Sequence, residues 1–290
     1  MLSLEQLRVF VAVAEALHVT RAAETLHMTQ SAASASIAAL ESRYDTKLFH
    51  RVGRRIELTP EGECFLPEAR AVLQRAAAAE LAISELAGHP RGALRVAASQ
   101  TVVNNWLPER LVAYHAQFPD VQVHVISCNT EQAARAVLDG GADLAVVEGE
   151  VEDDALATFE VAGDRLVLVL PAGSPLARRK RIDDALLRDA AWVMREPGSG
   201  TRRMTEDLLR ARGIDPRSAH VAIELPSNES VLAAVETGVG IAAVSELAAR
   251  RHALPTIDLP LPPRAFTVLH HRERKPNRAQ RALLELFAAS

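Results

Sequence analysis

The sequence predicts an α/β chain with an all-α module at its N-terminus, and three observations lead there. Up to Leu58 the pattern is helical, ending in a short basic hairpin; Pro60 to Leu86 form one long helical run; and beyond residue 92 short apolar runs alternate with helical ones. A chain of 290 residues, 48% hydrophobic and 24% charged, has room for a small domain followed by a larger or two-lobed one. No run reaches bilayer-spanning length and no secretory signal opens the chain, so a cytoplasmic location is expected. Cys64 and Cys128 lie far apart without ligand-like spacing, which predicts neither a disulfide framework nor a zinc site. No cofactor is called for.

Ser3 is set to cap a first helix with apolar residues at Leu4, Leu7, Phe10, Val11 and Ala14. Thr20 to Leu26 make a second. Thr29 or Gln30 opens a third, reaching about Tyr44, with Ala33, Ile37 and Leu40 on one face and Gln30, Ser31, Ser34 and Ala35 on the other. Leu48-Phe49 and Ile56-Glu57-Leu58 read as two strands around Gly53-Arg54-Arg55, a basic wing. Net charge is −4, yet Arg43, Lys47, Arg51, Arg54 and Arg55 crowd one segment against Asp45 alone. At a phosphate backbone local charge governs, because screening removes distant charge within roughly 8–10 Å.

This arrangement is a helix-turn-helix followed by a wing. Thr29, Gln30, Ser31 and Ser34 occupy the opening turns of the third helix, where such motifs meet base edges in the major groove. Gln bonds adenine in bidentate fashion. Arg51, Arg54 and Arg55 are placed for phosphates, or for one arginine in the minor groove. The bland reading, an alanine-rich three-helix module with a solvated polar face, is weakened by the adjacent basic wing and long helix.

Thr59-Pro60 starts that helix, as N-cap and first helical residue. Phe65, Ala69, Val72, Ala76, Ala79, Ile83 and Leu86 recur at alternating spacings of four and three, a heptad seam read as a dimer helix because no flanking segment obviously covers it. Gly88-His89-Pro90-Arg91-Gly92 marks a linker. Next, Leu94–Ala98, Val121–Ser127, Leu144–Val147, Leu166–Leu170, Trp192–Met194, Ala222–Leu225 and Ile241–Val244 read as buried strands of parallel sheets. Trp106–Phe118, Thr130–Asp139, Thr201–Arg212, Ser227–Thr237 and Asn277–Phe287 read as helices.

Arg21-Ala22-Ala23, Thr29-Gln30-Ser31-Ala32 with Ser34 and Ile37, Leu40-Glu41, Leu48-Phe49, Arg51 and Leu58-Thr59-Pro60-Glu61-Gly62 resemble the LysR-type transcriptional regulators, and the resemblance continues along the whole chain. One departure is Ala35, at a position often basic in that family, which removes a contact from the recognition helix. The resemblance implies a winged helix-turn-helix over residues 1–58 and a linker and dimerisation helix over 59–88. An effector-binding domain over 89–290 would follow, with two lobes like periplasmic binding proteins (lobe I about 91–161 and 267–290, lobe II about 162–266). It further implies double-stranded DNA with an interrupted inverted repeat as partner, homodimers assembling into a homotetramer, a small inducer, and no enzymatic activity.

Three strand-to-helix turns carry hydroxyls: Ser99-Gln100-Thr101, Cys128-Asn129-Thr130 and Arg195-Glu196-Pro197-Gly198-Ser199-Gly200-Thr201. Helix N-termini favour anions, and ligands of open α/β sheets bind at strand carboxyl ends. Each turn alone is also explained by capping: Thr130 and Thr201 suit N-caps, and Asn129 with Gln132 resembles a capping box. The Arg195-to-Arg202 run, Asn129-Thr130 and Val147-Glu148-Gly149 are similar to LysR-type regulators of sulfur assimilation and carbon fixation, which implies a small anionic effector. Ser99, Thr101, Thr130, Ser199, Gly200 and Thr201 are its expected contacts. Arg195 or Arg202 would supply charge or pair with a surface carboxylate; Glu148 would accept an amine or orient an arginine.

Gly198-Ser199-Gly200 lacks the spacing of a nucleophile elbow. His270-His271, on a probable strand, point to opposite faces, against joint metal binding. Cys128 reads as a pocket-lining cysteine rather than a redox switch. The alternative is a cleft-based binding protein or enzyme whose N-terminal module serves dimerisation alone; it predicts no DNA footprint.

Overall fold

The computed structural model describes residues 2–52, 55–86, 92–174, 177 and 183–289, and the chain divides into two compact units, one of residues 1–89 with 139–141 and one of 90–138 with 142–290. In the first unit, α1 (Leu4–Ala16) begins with a reciprocal Ser3–Gln6 capping box and ends where Leu17 turns left-handed. Helix α2 (Val19–Thr25) and α3 (Gln30–Tyr44) are joined by a turn in which His27 takes a φ of 54°, and the Met28 N–H returns to the Ala23 carbonyl at 2.9 Å. Strands β1 (Phe49–Val52) and β2 (Arg55–Leu58) pair antiparallel as the wing, then α4 runs from Pro60 to Leu86.

Phe10 organises this unit's core. It is fully buried, with the rings of Phe49 and Phe65 centred 5.5 and 4.9 Å away. Phe65 and the fully buried Ala69 therefore pack on α1, and the seam expected to run from Phe65 is taken by its own unit over its first two positions. Apolar side chains at helical spacing cover whatever lies beside them, and here that is α1. Farther along, Val72 is 45% and Ile83 69% exposed, so these distal seam positions have no cover among the described residues.

The second unit contains β3 (Gly92–Ser99), α5 (Gln100–Asn105), α6 (Leu107–Gln117), β4 (Val121–Cys128), α7 (Thr130–Leu138), β5 (Leu144–Glu148), β6 (Leu156–Asp164) and β7 (Leu166–Val169). It continues through α8 (Asp184–Asp189), β8 (Ala191–Arg195), α9 (Gly200–Ala211), β9 (His220–Leu225), α10 (Asn228–Glu236), β10 (Ala242–Ser245), α11 (Glu246–Ala249), β11 (Thr256–Asp258), β12 (Arg264–His271) and α12 (Arg278–Ala288). One sheet has the order β4-β3-β5-β12-β6; β7 sits between β10 and β11; β8 pairs with β9.

The sheets are not all parallel as expected. Strands β3, β4 and β5 are parallel, but β12 runs antiparallel to β5 and β6, and β7 is antiparallel to both neighbours. The cause is connectivity. Strand β6 ends at Asp164 and the next strand, β7, already belongs to the second sheet, while β12 re-enters the first sheet at Arg264. Two such crossing strands are adjacent and oppositely directed. Their approach is close: a Cβ on Gly163 would lie 2.3 Å from the Arg264 carbonyl oxygen, so this crossing requires glycine.

Candidate functional site

In α3 the Thr29 hydroxyl accepts the Ala32 N–H at 3.2 Å and lies 3.0 Å from Ser31 Oγ, while Gln30 Nε2 donates to Ser34 Oγ at 2.9 Å. Gln30 and Ser31 are exposed and Ser34 half-buried, with Ala33 and Leu40 inside. The expected polar face is thus brought together on one side of the helix. Thr29 serves mainly as the cap, and the Ser34 hydroxyl holds the Gln30 amide.

The helix is fixed to the wing by Glu41. Its carboxylate accepts the backbone N–H groups of Leu48 (2.9 Å) and Phe49 (3.2 Å) and the Lys47 ammonium (2.7 Å). Burial opposes ionisation there, but these three donors outweigh it and hold the carboxyl below its ordinary range. Sequence reading missed this role, although an acid between helix and hairpin was a visible signal. Arg54 lies outside the described residues, as do the side chains of Arg51 and Arg55; their backbones place Arg51 opposite Ile56 and Arg55 opposite Val52 on the wing.

In the second unit the three hydroxyl-bearing turns converge, joined by a fourth. From one side come Ser99–Thr101 and Asn129–Thr130, at the ends of β3 and β4. From the other come Ser199–Thr201, after β8, and Asn228, after β9. Asn228 Nδ2 donates to Thr101 Oγ1 at 3.0 Å, and the Asn228 N–H to Gln100 Oε1 at 3.0 Å. The Glu131 N–H meets the Gly198 carbonyl at 3.3 Å, and Asn129 Nδ2 meets Glu196 Oε1 at 3.2 Å. Gly200 sits so close to β5 that a Cβ would lie 2.6 Å from the Glu148 carbonyl oxygen and 2.8 Å from Thr130 Oγ1. Two rows of contacts, α5 to α10 and α7 to α9, thus close the cleft.

The capping expectations are redistributed. Asn129, with Gln132, is the cap of α7, and Ser199 accepts the Arg202 N–H as cap of α9. Thr130 and Thr201 stand inside their helices, so their hydroxyls turn elsewhere: Thr130 to the Glu148 carbonyl at 3.3 Å, Thr201 to Arg264 at 3.4 Å. Ser99 Oγ is buried with no hydrogen-bond partner. Neither expected arginine is a spare charge. Arg195 is bidentate to Glu196 and donates to Asn228 at 2.9 Å; Arg202 is held by Glu206 and Glu224.

The cation at the cleft floor is Arg264, which sequence reading missed; nothing local marks it. It pairs with Asp164 through two nitrogens, and Asp164 also accepts from Ser245. Asn228 did leave a signal, since β9 and α10 repeat the strand-turn-helix pattern of the other three. A cavity of about 670 Å³ opens between α7 and α9, walled by Thr130, Glu131, Arg135, Pro197, Ser199 and Arg202; Ser99 and Thr101 are not among its walls. Burial pushes the Cys128 thiol up to about 11, despite the Ala98 carbonyl nearby, so the reactive thiolate is scarce at neutral pH.

The chain matches two family descriptions, "Bacterial regulatory helix-turn-helix protein, lysR family" over residues 4–63 and "LysR substrate binding domain" over residues 87–290. It is 31% identical to the "Uncharacterized HTH-type transcriptional regulator YeiE" of Escherichia coli, across 98% of this chain and 96% of that one. It is 32% identical to a "Probable RuBisCO transcriptional regulator" of Trichormus variabilis, across 84% and 73%. Among solved structures, the regulatory domain of CcmR from Synechocystis, in complex with 2-PG, superposes with a TM-score of 0.62 at 27% identity, covering 69% of this chain and 97% of that one. With its reading helix, wing and effector-type cleft, the chain belongs to the LysR family of DNA-binding transcriptional regulators.

Proposed function

We propose that the cleft of the second unit senses a small anionic metabolite and that its closure governs promoter contact. The observation that carries this reading is the convergence of Ser99, Thr101, Thr130, Ser199, Gly200 and Thr201 from three turns, joined by Asn228 from a fourth, onto one closed cleft, with Ser99 Oγ buried and unpartnered. The positive ends of the α7 and α9 dipoles favour negative charge. The relative CcmR is solved with 2-PG, which agrees with an anionic effector. A ligand shifts the lobes only through differential affinity for their arrangements.

The chain in this reading is not an enzyme, resides in the cytoplasm, and divides into a DNA-binding domain (1–58), a linker helix (59–88) and an effector domain (89–290). Its partner is double-stranded DNA with an interrupted inverted repeat. Protomers pair along the distal α4 seam, where Val72 and Ile83 are exposed, and dimers assemble into tetramers. Thr29, Gln30, Ser31 and Ser34 face the bases; Arg51, Arg54 and Arg55 face phosphates.

The test is a thermal-shift screen of the full chain with sulfate, acetylserine, sugar phosphates and carboxylates, followed by footprinting on the DNA upstream of its own gene with and without the hit. Stabilisation by an anion that also changes the footprint is expected. A hit whose stabilisation survives replacement of Thr101 and Thr201 by bulky apolar residues overturns the cleft as the site.

A further inference from the structure

Glu148 ends β5 inside the cleft and is 3% exposed, yet no hydrogen bond reaches its carboxylate among the described residues. The nearest cation is Arg264 Nη2 at 3.9 Å, beyond hydrogen-bond reach. Arg264 is already committed: two of its nitrogens grip Asp164 and the third faces Thr201 and the Met204 sulfur. Orienting that guanidinium is therefore the work of Asp164. The cleft's other buried cation, Arg195, is neutralised by Glu196. Asp164 is paired with Arg264 and Glu196 with Arg195, so Glu148 is left without a cation in hydrogen-bond reach.

An ionised carboxylate removed from water without a donor is costly, and an anionic ligand beside it adds repulsion. Register separates it from the cleft's unpartnered hydroxyl. Ala98 pairs with Val146, so Val147 continues opposite Ser99, and Glu148, one residue on, turns to the other face of the sheet from the buried, unpartnered Ser99 hydroxyl. Gly200 packs over the same strand end, a Cβ there reaching within 3.2 Å of Glu148 Cβ.

Resting on the reading of the cleft as an anion sensor, we propose that the effector is zwitterionic: its anionic group meets the hydroxyl-bearing turns, and an ammonium group sits on Glu148. An N–H donor from an ammonium gives the carboxylate its missing hydrogen bond and offsets its charge. Glu148 is then the residue that selects amine-bearing metabolites over the corresponding hydroxy acids.

Matched probes differing only in amine against hydroxyl test this: O-phosphoserine against 3-phosphoglycerate, serine against glycerate, and aspartate against malate, titrated calorimetrically into the full-length protein. In at least one pair the amine member is expected to bind about 10- to 100-fold more tightly, the range of a charged hydrogen bond in a buried site. Glu148→Gln erases that preference while leaving the hydroxy acid's affinity equal or improved. Glu148→Asp, which keeps the charge, retains part of the preference and separates charge from folding. Equal binding within every pair, or a preference that survives in Glu148→Gln, overturns the amine assignment and leaves the anion sensor standing. Binding of no member of any pair, to wild type or variants, overturns the anion sensor and the amine together.

Discussion

At the start of α3 every polar partner is a near neighbour in sequence. Thr29 caps Ala32, Ser31 touches Thr29, and Gln30 reaches Ser34. In the cleft the partners lie far along the chain: Thr101 meets Asn228 across 127 residues, Arg264 meets Asp164 across 100, and Asn129 meets Glu196 across 67. The start of α3 therefore keeps its arrangement wherever α3 folds, which suits the DNA-reading role proposed for it. The Thr101–Asn228 and Asn129–Glu196 bonds form only when two sheets stand in one relation, and a ligand that changes that relation changes both. Locality suits a reader, and long range suits a sensor.

The largest effect expected from this contrast is at Arg264. Replacing it with methionine leaves Asp164 buried without its cation, a loss of about 3–5 kcal/mol by analogy with broken buried pairs. Chemical denaturation should show the second unit unfolding early, and hydrogen exchange should locate the loss along β6 and β12 with peptides of α1 to α4 unchanged. Removing Asp164 as well, with Asp164→Leu, should return much of the stability. If Arg264→Met spares the second unit, the crossing strands are held by their backbone pairing alone.

Glu41 is one of the first unit's departures from locality, reaching seven and eight residues ahead to the wing, as Arg70 reaches back 55 to Glu15. Glu41→Ala leaves the Leu48 and Phe49 N–H groups without their acceptor, at about 1–3 kcal/mol. Because the folded carboxyl is held below its unfolded value, this contribution is fully present above the unfolded pKa of about 4.3 and is lost as pH falls through the folded one. Stability of the first unit should fall with acid below about pH 4, more steeply in wild type than in Glu41→Gln, when unfolding is followed against pH. Parallel pH profiles for the two would remove Glu41 as the link between helix and wing.

Gln30→Ala should cost about 1–3 kcal/mol of discrimination at one base pair of the operator, with unfolding unchanged to within about 0.5 kcal/mol. Binding measured on operators altered base by base checks this. A uniform loss across all sequences would instead make Gln30 a phosphate contact.

The same contrast explains what was legible in the sequence. Ser3 and Thr59 show as caps because a cap is a local pattern, Thr29 or Gln30 shows as the opening of α3 without the cap being assigned, and the Ala33–Leu40 face shows because a helix repeats itself. Hydroxyl-bearing turns at Ser99, Thr130 and Ser199 also show, each being a strand end beside a helix start. Arg264 does not: its significance comes from Asp164, brought alongside by two crossing strands, and no spacing in the chain records that. The parallel-sheet expectation failed for the same reason, since strand direction at β6 and β12 depends on where the chain crosses between sheets. Phe65 and Ala69 have the periodicity of a dimer seam, yet periodicity reports that a face is covered and not by what; Phe10 covers this one.

The smallest expected effect falls on Thr29, where capping and reading share one hydroxyl. Thr29→Ala removes the bond from the Ala32 N–H and should cost about 1 kcal/mol of stability, within the range of lost N-caps. Thr29→Ser keeps the hydroxyl and should keep both stability and DNA affinity. Thr29→Asn separates the two roles, because asparagine caps as well as threonine but presents a different group to the groove. If Thr29→Asn unfolds like wild type yet binds operator DNA more weakly, Thr29 faces a base or phosphate in addition to ordering the helix start. If its affinity matches wild type, the hydroxyl is needed only for the cap, and the reading edge contracts to Gln30, Ser31 and Ser34.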